Sequence, residues 1–372
     1  GGSVSDGGAM SADGQFIVFS SRSDNLVAGD NNNLRDVFLR DAITGITQKV
    51  NVSSGDAPAN GSTLFGAAIS SDGQSVVFDA IANNLVTEVV HDTYCHLFLR
   101  ELDGGTTELI DAAEDGGVAN GGVANIAAVS DDGRYVAFWS SASNLVANDN
   151  NNQMDVFVRD RQTGMTELVS ISTGGVQANG SGSMVAMSSD GRYVVFDSTA
   201  DNLVTGYQND HRSIFIRDRQ EGTTDIMNLS SNGELANDAC IDPAVSANGQ
   251  FVAFASAATN LVSNDVNDAV DVFFRDRSEG TTELISLSSA GLQAGGDSRR
   301  PMLTSGGQLV AFESTAADLV QVDENDAADI FVRDRGESTT EIVSLSATDQ
   351  QANSSSSHAY LSNNGRFVTF VT

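Results

Sequence analysis

The sequence predicts an all-β chain, a β-propeller of four-stranded antiparallel blades, and three observations carry that prediction. A turn dipeptide recurs at Asp13-Gly14, Asp72-Gly73, Asp132-Gly133, Asp190-Gly191, Asn248-Gly249, Gly306-Gly307 and Asn364-Gly365, in steps of 58 to 60 residues. A second marker, Arg40-Asp41, Arg100-Glu101, Arg159-Asp160, Arg217-Asp218, Arg275-Asp276 and Arg333-Asp334, keeps the same period. No window of about 11 residues sustains a helical period, so the repeated units are built of strands.

The third repeat shows how one unit is assembled. Ala127-Ala128-Val129-Ser130 and Tyr135-Val136-Ala137-Phe138-Trp139-Ser140 are apolar runs joined by the Asp132-Gly133 turn, which makes a first hairpin. After Asn144-Leu145-Val146 and a polar loop come Asp155-Val156-Phe157-Val158-Arg159-Asp160, a turn at Thr163-Gly164, and Thr166-Glu167-Leu168-Val169-Ser170. A polar segment ending Gln177-Ala178-Asn179 leads into the next unit. The strands are apolar on both faces and so need a neighbour on each side, which a radial repeat supplies. Phe38, Phe98, Phe157, Phe215, Phe273 and Phe331 occupy one column of the repeat and are expected in the core between blades.

The repeats run approximately over 1–59, 60–119, 120–178, 179–236, 237–294 and 295–352, with a partial unit at 353–372, all in one domain of 372 residues. The last segment reads as the first hairpin of a seventh repeat, and Gly1-Gly2-Ser3 aligns just after the point where a repeat closes. A six-bladed ring has no slot for the surplus hairpin. The expectation is therefore a seven-bladed ring, preferred over a six-bladed one, that residues of a longer chain would complete.

Composition restricts the function. The 19 Lys+Arg and 50 Asp+Glu give a formal charge of −31, and Lys49 is the only lysine. Such a surface repels phosphate backbones and anionic headgroups, which argues against nucleic-acid binding. No apolar run approaches the ~20 residues of a membrane-spanning helix, so no membrane insertion is expected. The acidic balance suits surroundings whose cations screen self-repulsion, and predicts an extracellular, cell-surface or periplasmic location. Cys95 and Cys240 fall at different places in the repeat and read as unpaired.

The segment from Ser130 to Phe138, with Asp155 to Asp160 and Thr163-Gly164, resembles the TolB-type, WD-repeat-like propeller repeat, and the resemblance extends over essentially the whole chain. It implies a propeller fold. It leaves function open, because the family's members range from periplasmic translocation scaffolds to domains attached to peptidases and lyases. The units here are longer than the usual family repeat, and the added length lies in the loop before the third strand.

That loop carries the chemistry most visible in the sequence. Four repeats read Asp-x-Asn-(Asn/Asp)-x-x-Asp: Asp30, Asn32 and Asp36; Asp149, Asn151 and Asp155; Asp265, Asn267 and Asp271; Asp323, Asn325 and Asp329. Oxygen ligands at positions 1, 3 and 7 of a tight loop can converge on Ca²⁺, although the loop lacks the Gly and bidentate Glu of an EF-hand. The same residues could instead form Asx-turns with no ion. In repeat four the aligned residues are Tyr207, Asn209 and Ser213, and in repeat two the loop runs from Glu88 to His96, so both outer Asp residues vanish together.

Other departures from the repeat are His91-Asp92-Thr93-Tyr94-Cys95-His96, whose spacing matches no zinc pattern, Trp139, Arg299-Arg300-Pro301, His211 and His358. Arg299-Arg300 could draw an anion or pair with nearby Asp. No nucleophile elbow, zincin helix or phosphate loop occurs. The reading that follows is a secreted or surface-exposed, non-catalytic binding or assembly propeller with Ca²⁺-stabilised outer loops. Its partner would be a protein, a glycan, or another copy through open strand edges. A subunit of an extracellular filament or surface layer, and a hydrolase or lyase with its site at one end of the channel, are the alternatives.

Overall fold

The structure, a computed structural model, describes residues 5–87, 93–207, 210–321, 323, 325 and 327–372. It is a β-propeller whose six four-stranded sheets span residues 5–49, 67–109, 123–168, 185–226, 240–284 and 298–342. In every blade the strands lie in sequence order and each neighbouring pair is antiparallel. Blades one to three form one compact unit, which also takes in the turn at 189–191, and blades four to six with the last hairpin form a second. Within each unit the first strands of successive blades pack beside one another.

The turn between the first two strands is closed by side chains. In blade three Ser130 Oγ accepts from the Tyr135 amide at 2.9 Å and donates to Asp132 Oδ1 at 2.8 Å, while the Arg134 amide donates to the same carboxylate at 3.0 Å. Gly133 holds φ at 70°, and a Cβ there would stand 2.2 Å from Ser75 Oγ of blade two. The repeated Asp-Gly therefore meets a conformational demand and a close approach between blades.

The phenylalanine column is core, as expected: each member is at most 3% exposed. Each stacks on a second-strand phenylalanine of its own blade, Phe19, Phe78, Phe138, Phe196, Phe254 or Phe312, with ring centroids 5.8 to 5.9 Å apart. The cores cross blade boundaries, as where Phe138 and Phe157 pack with Leu97 and Leu99 of blade two.

The preference for seven blades is overturned. After the sixth blade the chain forms a two-stranded sheet, Ser357–Leu361 with Val368–Val371, and no seventh four-stranded blade is found among the described residues. The physical reason lies on blade six, whose outward apolar face needs cover. Leu361 and Val368 pack against Ala311, Val332 and Met302 there, so the hairpin does a neighbour's packing with half a neighbour's strands. The alignment drawn for Gly1-Gly2-Ser3 lies outside the described residues.

Candidate functional site

The loop before the third strand ends on that strand's first residue, and this position is buried in every blade. Asp36, His96, Asp155, Ser213, Asp271 and Asp329 are at most 1% exposed. Each has a polar partner 15 residues on, two residues beyond the end of the fourth strand. Asn51 Nδ2 donates to Asp36 at 2.7 Å, Ser170 Oγ to Asp155 at 2.6 Å, and Ser286 and Ser344 donate to Asp271 and Asp329. In repeat two His96 Nδ1 faces Asp111 at 2.8 Å, and in repeat four Asn228 donates to Ser213 at 3.3 Å. The two residues change type together, as a buried donor and acceptor must.

In three of the four predicted loops the outer Asp residues are brought together, around a group the sequence reading did not include. In blade one Lys49 Nζ lies 3.2 Å from Asp30 Oδ1 and 2.7 Å from Asp36 Oδ2. In blade five Gln293 Nε2 stands at that point, 2.8 Å from both Asp265 Oδ1 and Asp271 Oδ2. In blade six Gln351 Nε2 lies 2.8 Å from Asp323 Oδ1 and 2.7 Å from Asp329 Oδ2. Gln177 holds the same bridge position in blade three, which carries Asp149 and Asp155, whereas Val118 and Leu235 hold it in the repeats that lack the outer pair.

The middle residue of each motif does something else. Asn32, Asn151, Asn267 and Asn325 accept from the amide two residues on, at 2.8 to 3.1 Å, which is the Asx-turn. In blades five and six the Asn Nδ2 also donates to the carbonyl of Ala294 or Ala352. In blades one, five and six the loop is thus a turn held by its central Asn that points two carboxylates at one bridging group, while in blade three Asn151 Nδ2 itself donates to Asp155 Oδ2 at 2.8 Å. Burial, the largest influence, pushes the Asp271 carboxyl up to about 6 and raises that of Asp265. Among the described residues no three His, Cys, Asp or Glu converge as a metal-binding group, so a cation here would need amide or carbonyl oxygens as further ligands.

The His91 to His96 cluster divides differently. His91 and Asp92 lie outside the described residues, as does Asn209 of repeat four. Cys95 and His96 are buried, and Cys95 Sγ donates to Asp79 Oδ2 at 2.9 Å. Both cysteines are unpaired. Burial and the adjacent Asp79 raise the thiol pKa of Cys95, and burial pushes that of Cys240 up to about 12, so neither is a ready nucleophile. Trp139 is core, 1% exposed.

A second polar constellation lies on the first strands of blades five and six and of the final hairpin. Asp242, Arg300 and His358 are 58 residues apart and share a bulged, left-handed backbone with φ of 54°, 50° and 53°. Such a backbone is strained for residues with a Cβ. Arg300 Nη1 reaches Glu313 Oε2 at 3.1 Å, its amide donates to Asp242 Oδ2 at 3.3 Å, and the His358 amide donates to Glu313. Arg299 pairs with Asp297 at 3.2 Å, and in blade four Arg212 pairs with Asp197 at 2.7 Å. The double arginine thus pairs with neighbouring acids. The shared column would have been legible from alignment of the repeats, but the pairing with Glu313 would not.

No protein-family model and no curated protein sequence matches the chain. Comparison of folds does find similar structures. An oligogalacturonate lyase from Vibrio parahaemolyticus is 12% identical, with 98% of this chain and 86% of that one covered and a TM-score of 0.58. The β-propeller domain of the trilobed protease from Pyrococcus furiosus is 9% identical, with 96% and 87% covered and a TM-score of 0.56. TolB from Acinetobacter baumannii is 16% identical, with 81% and 57% covered and a TM-score of 0.42. The propeller fold read from the sequence is supported, and at these identities fold is all that is shared.

Proposed function

We propose that this protein is a non-catalytic binding propeller whose rim loops are clamped by divalent cations, Ca²⁺ foremost. The observation that carries the reading is the substitution series at one point in space. The chain's only lysine sits between Asp30 and Asp36, and a neutral amide sits between the equivalent carboxylates of blades five and six. A fully buried carboxylate beside a second, half-buried one calls for positive charge. Blade one carries that charge on its own chain, and a solvent cation supplies it in the blades that have Gln.

Gln suits this role because its amide oxygen and nitrogen exchange places by rotation about one bond. Asp265, Asp271 and Gln293 would hold one ion, Asp323, Asp329 and Gln351 a second, and Asp149, Asp155 and Gln177 a third. With so few charged ligands the affinity falls in the range of extracellular modules, which accords with a location outside the cytoplasm. A binding role, toward a protein or a glycan, is supported by the state of the reactive groups. His96, both thiols and the Asp242 carboxylate of the strained strands are engaged by protein partners.

Calorimetric titration with Ca²⁺ at fixed ionic strength tests the reading. Three sites are expected in the wild type, a fourth in Lys49→Gln, and two in Asp271→Asn. No saturable binding, or binding unaffected by Asp271→Asn, overturns it.

A further inference from the structure

Successive blades are sewn together by a repeated clasp, and one seam lacks it. In blade two the Thr107 amide donates to Ser54 Oγ at 2.9 Å, and Thr107 Oγ1 donates to the Val52 carbonyl at 2.5 Å. Thr224 does the same with Thr173 and Ile171, Thr282 with Ser231 and Leu229, and Thr340 with Ser289 and Leu287. Over each clasp an arginine of the third strand reaches back to carbonyls of the preceding crossover: Arg100 to Ser53, Arg217 to Ser172, Arg275 to Ser230, Arg333 to Ser288.

Blade three breaks the series because the crossover before it reads Ala113-Glu114 in place of Ser-(Ser/Thr). Thr166 has no hydroxyl to clasp, and the Glu114 amide turns to the Asn144 carbonyl at 3.0 Å. The seam stays shut elsewhere, through the shared core and through Arg161, which pairs with Glu108 at 2.5 Å. Arg159 loses its carbonyl acceptors, retains one bond to Thr166 Oγ1 at 3.1 Å, and forms no ion pair among the described residues. Its surroundings desolvate it, which lowers its pKa. At this place a cavity of about 540 Å³ opens, with Arg159 in its wall, Leu85, Leu109 and Ala112 as apolar lining, and Ser53, Asn84 and Glu108 as polar lining; the Glu108 carboxylate lies close enough to act on Arg159 but is paired with Arg161.

We propose that this cleft is a binding site for a small organic acid, whose carboxylate takes the place of the missing carbonyls on Arg159. A guanidinium presents a planar fork that a carboxylate matches with two parallel bonds, and partial burial strengthens the pair. The volume is that of a small-molecule site, and the apolar wall beside the arginine accommodates the body of the acid. The site borders the loop before the third strand of blade two, which lacks the outer Asp pair, and so does not depend on the cations proposed for the other loops.

The carboxylate could belong to a free acid or to the C-terminus of a peptide. Titrations at fixed ionic strength with D-glucuronate and with N-acetyl-glycyl-alanine, each beside its uncharged amide, separate these sources. At least one of the two acids binds with millimolar Kd and its amide does not. Arg159→Gln weakens binding at least about tenfold, as expected for loss of a charge-assisted pair. The double variant Ala113→Ser/Glu114→Ser, which restores the clasp and leaves Arg159 in place, abolishes binding, while Arg217→Gln leaves it unchanged. Failure of both acids to bind, equal binding of the amides, or full affinity in Arg159→Gln overturns the proposal.

Discussion

Blades one and five meet the same electrostatic demand with different groups. In both, a loop turn held by a central Asn aims two carboxylates at one point, and in both the inner carboxylate is fully buried. Blade one fills the point with an ammonium and blade five with an amide that bonds to both carboxylates but cancels neither charge. Geometry is therefore conserved between the blades while charge is not, which marks charge as the quantity that something outside the chain is free to supply.

The largest expected effect comes from removing the built-in cation. Lys49→Met leaves Asp36 buried without a counter-charge and should cost about 3–5 kcal/mol, read by urea denaturation. A loss below about 1 kcal/mol would mean that the pair is no more valuable than an exposed one. In blade five the sharper probe is pH. The Asp271 carboxyl is raised to about 6, so between its unfolded value of about 3.9 and that point the folded state keeps a proton that the unfolded chain releases. Stability lent by the protonated form is complete at the acid end of this window and is lost as pH rises through it. In EDTA, wild type relative to Asp271→Asn should lose roughly 2–3 kcal/mol across the window, and saturating Ca²⁺ should flatten the difference.

Smaller effects refine the comparison. Gln293→Leu removes the neutral bridge and should cost about 1–3 kcal/mol in EDTA, the penalty of leaving buried acceptors unmet. The contrast between the open seam and its four clasped counterparts can be tested in the stabilising direction. Ala113→Ser/Glu114→Ser should add about 0.5–1.5 kcal/mol by restoring one clasp, and no gain would mean that the crossover is held open by something other than the missing hydroxyl.

The fold was legible to the extent that it is local and repeated. The 58-residue period, the Asp-Gly turns, the strand pattern and the phenylalanine column all follow from residues whose partners are close in sequence or recur at a fixed step. The number of blades was not, because a hairpin packed on the apolar face of blade six carries the same repeat pattern as the opening half of a full blade. In the loops the carboxylates were found and their partner was missed. Gln293 lies 22 and 28 residues beyond Asp271 and Asp265, while Lys49 serves from a different strand position, so no single spacing reveals both. The available signal was a correlation: Gln177, Gln293 and Gln351 stand only where both outer Asp residues stand, and Val118 and Leu235 where they do not. The open seam left a similar trace in Ala113-Glu114, visible only once the other crossovers showed what their hydroxyls bind.

The measurement that tests the cation-clamped rim most directly is thermal unfolding in EDTA and in millimolar Ca²⁺ at equal ionic strength, since an ion bound only by the folded state raises the melting temperature with the logarithm of its concentration. The account predicts a Ca²⁺-specific rise that shrinks in Asp265→Asn/Asp271→Asn and grows in Lys49→Gln; equal melting in EDTA and Ca²⁺ for all three proteins would contradict it.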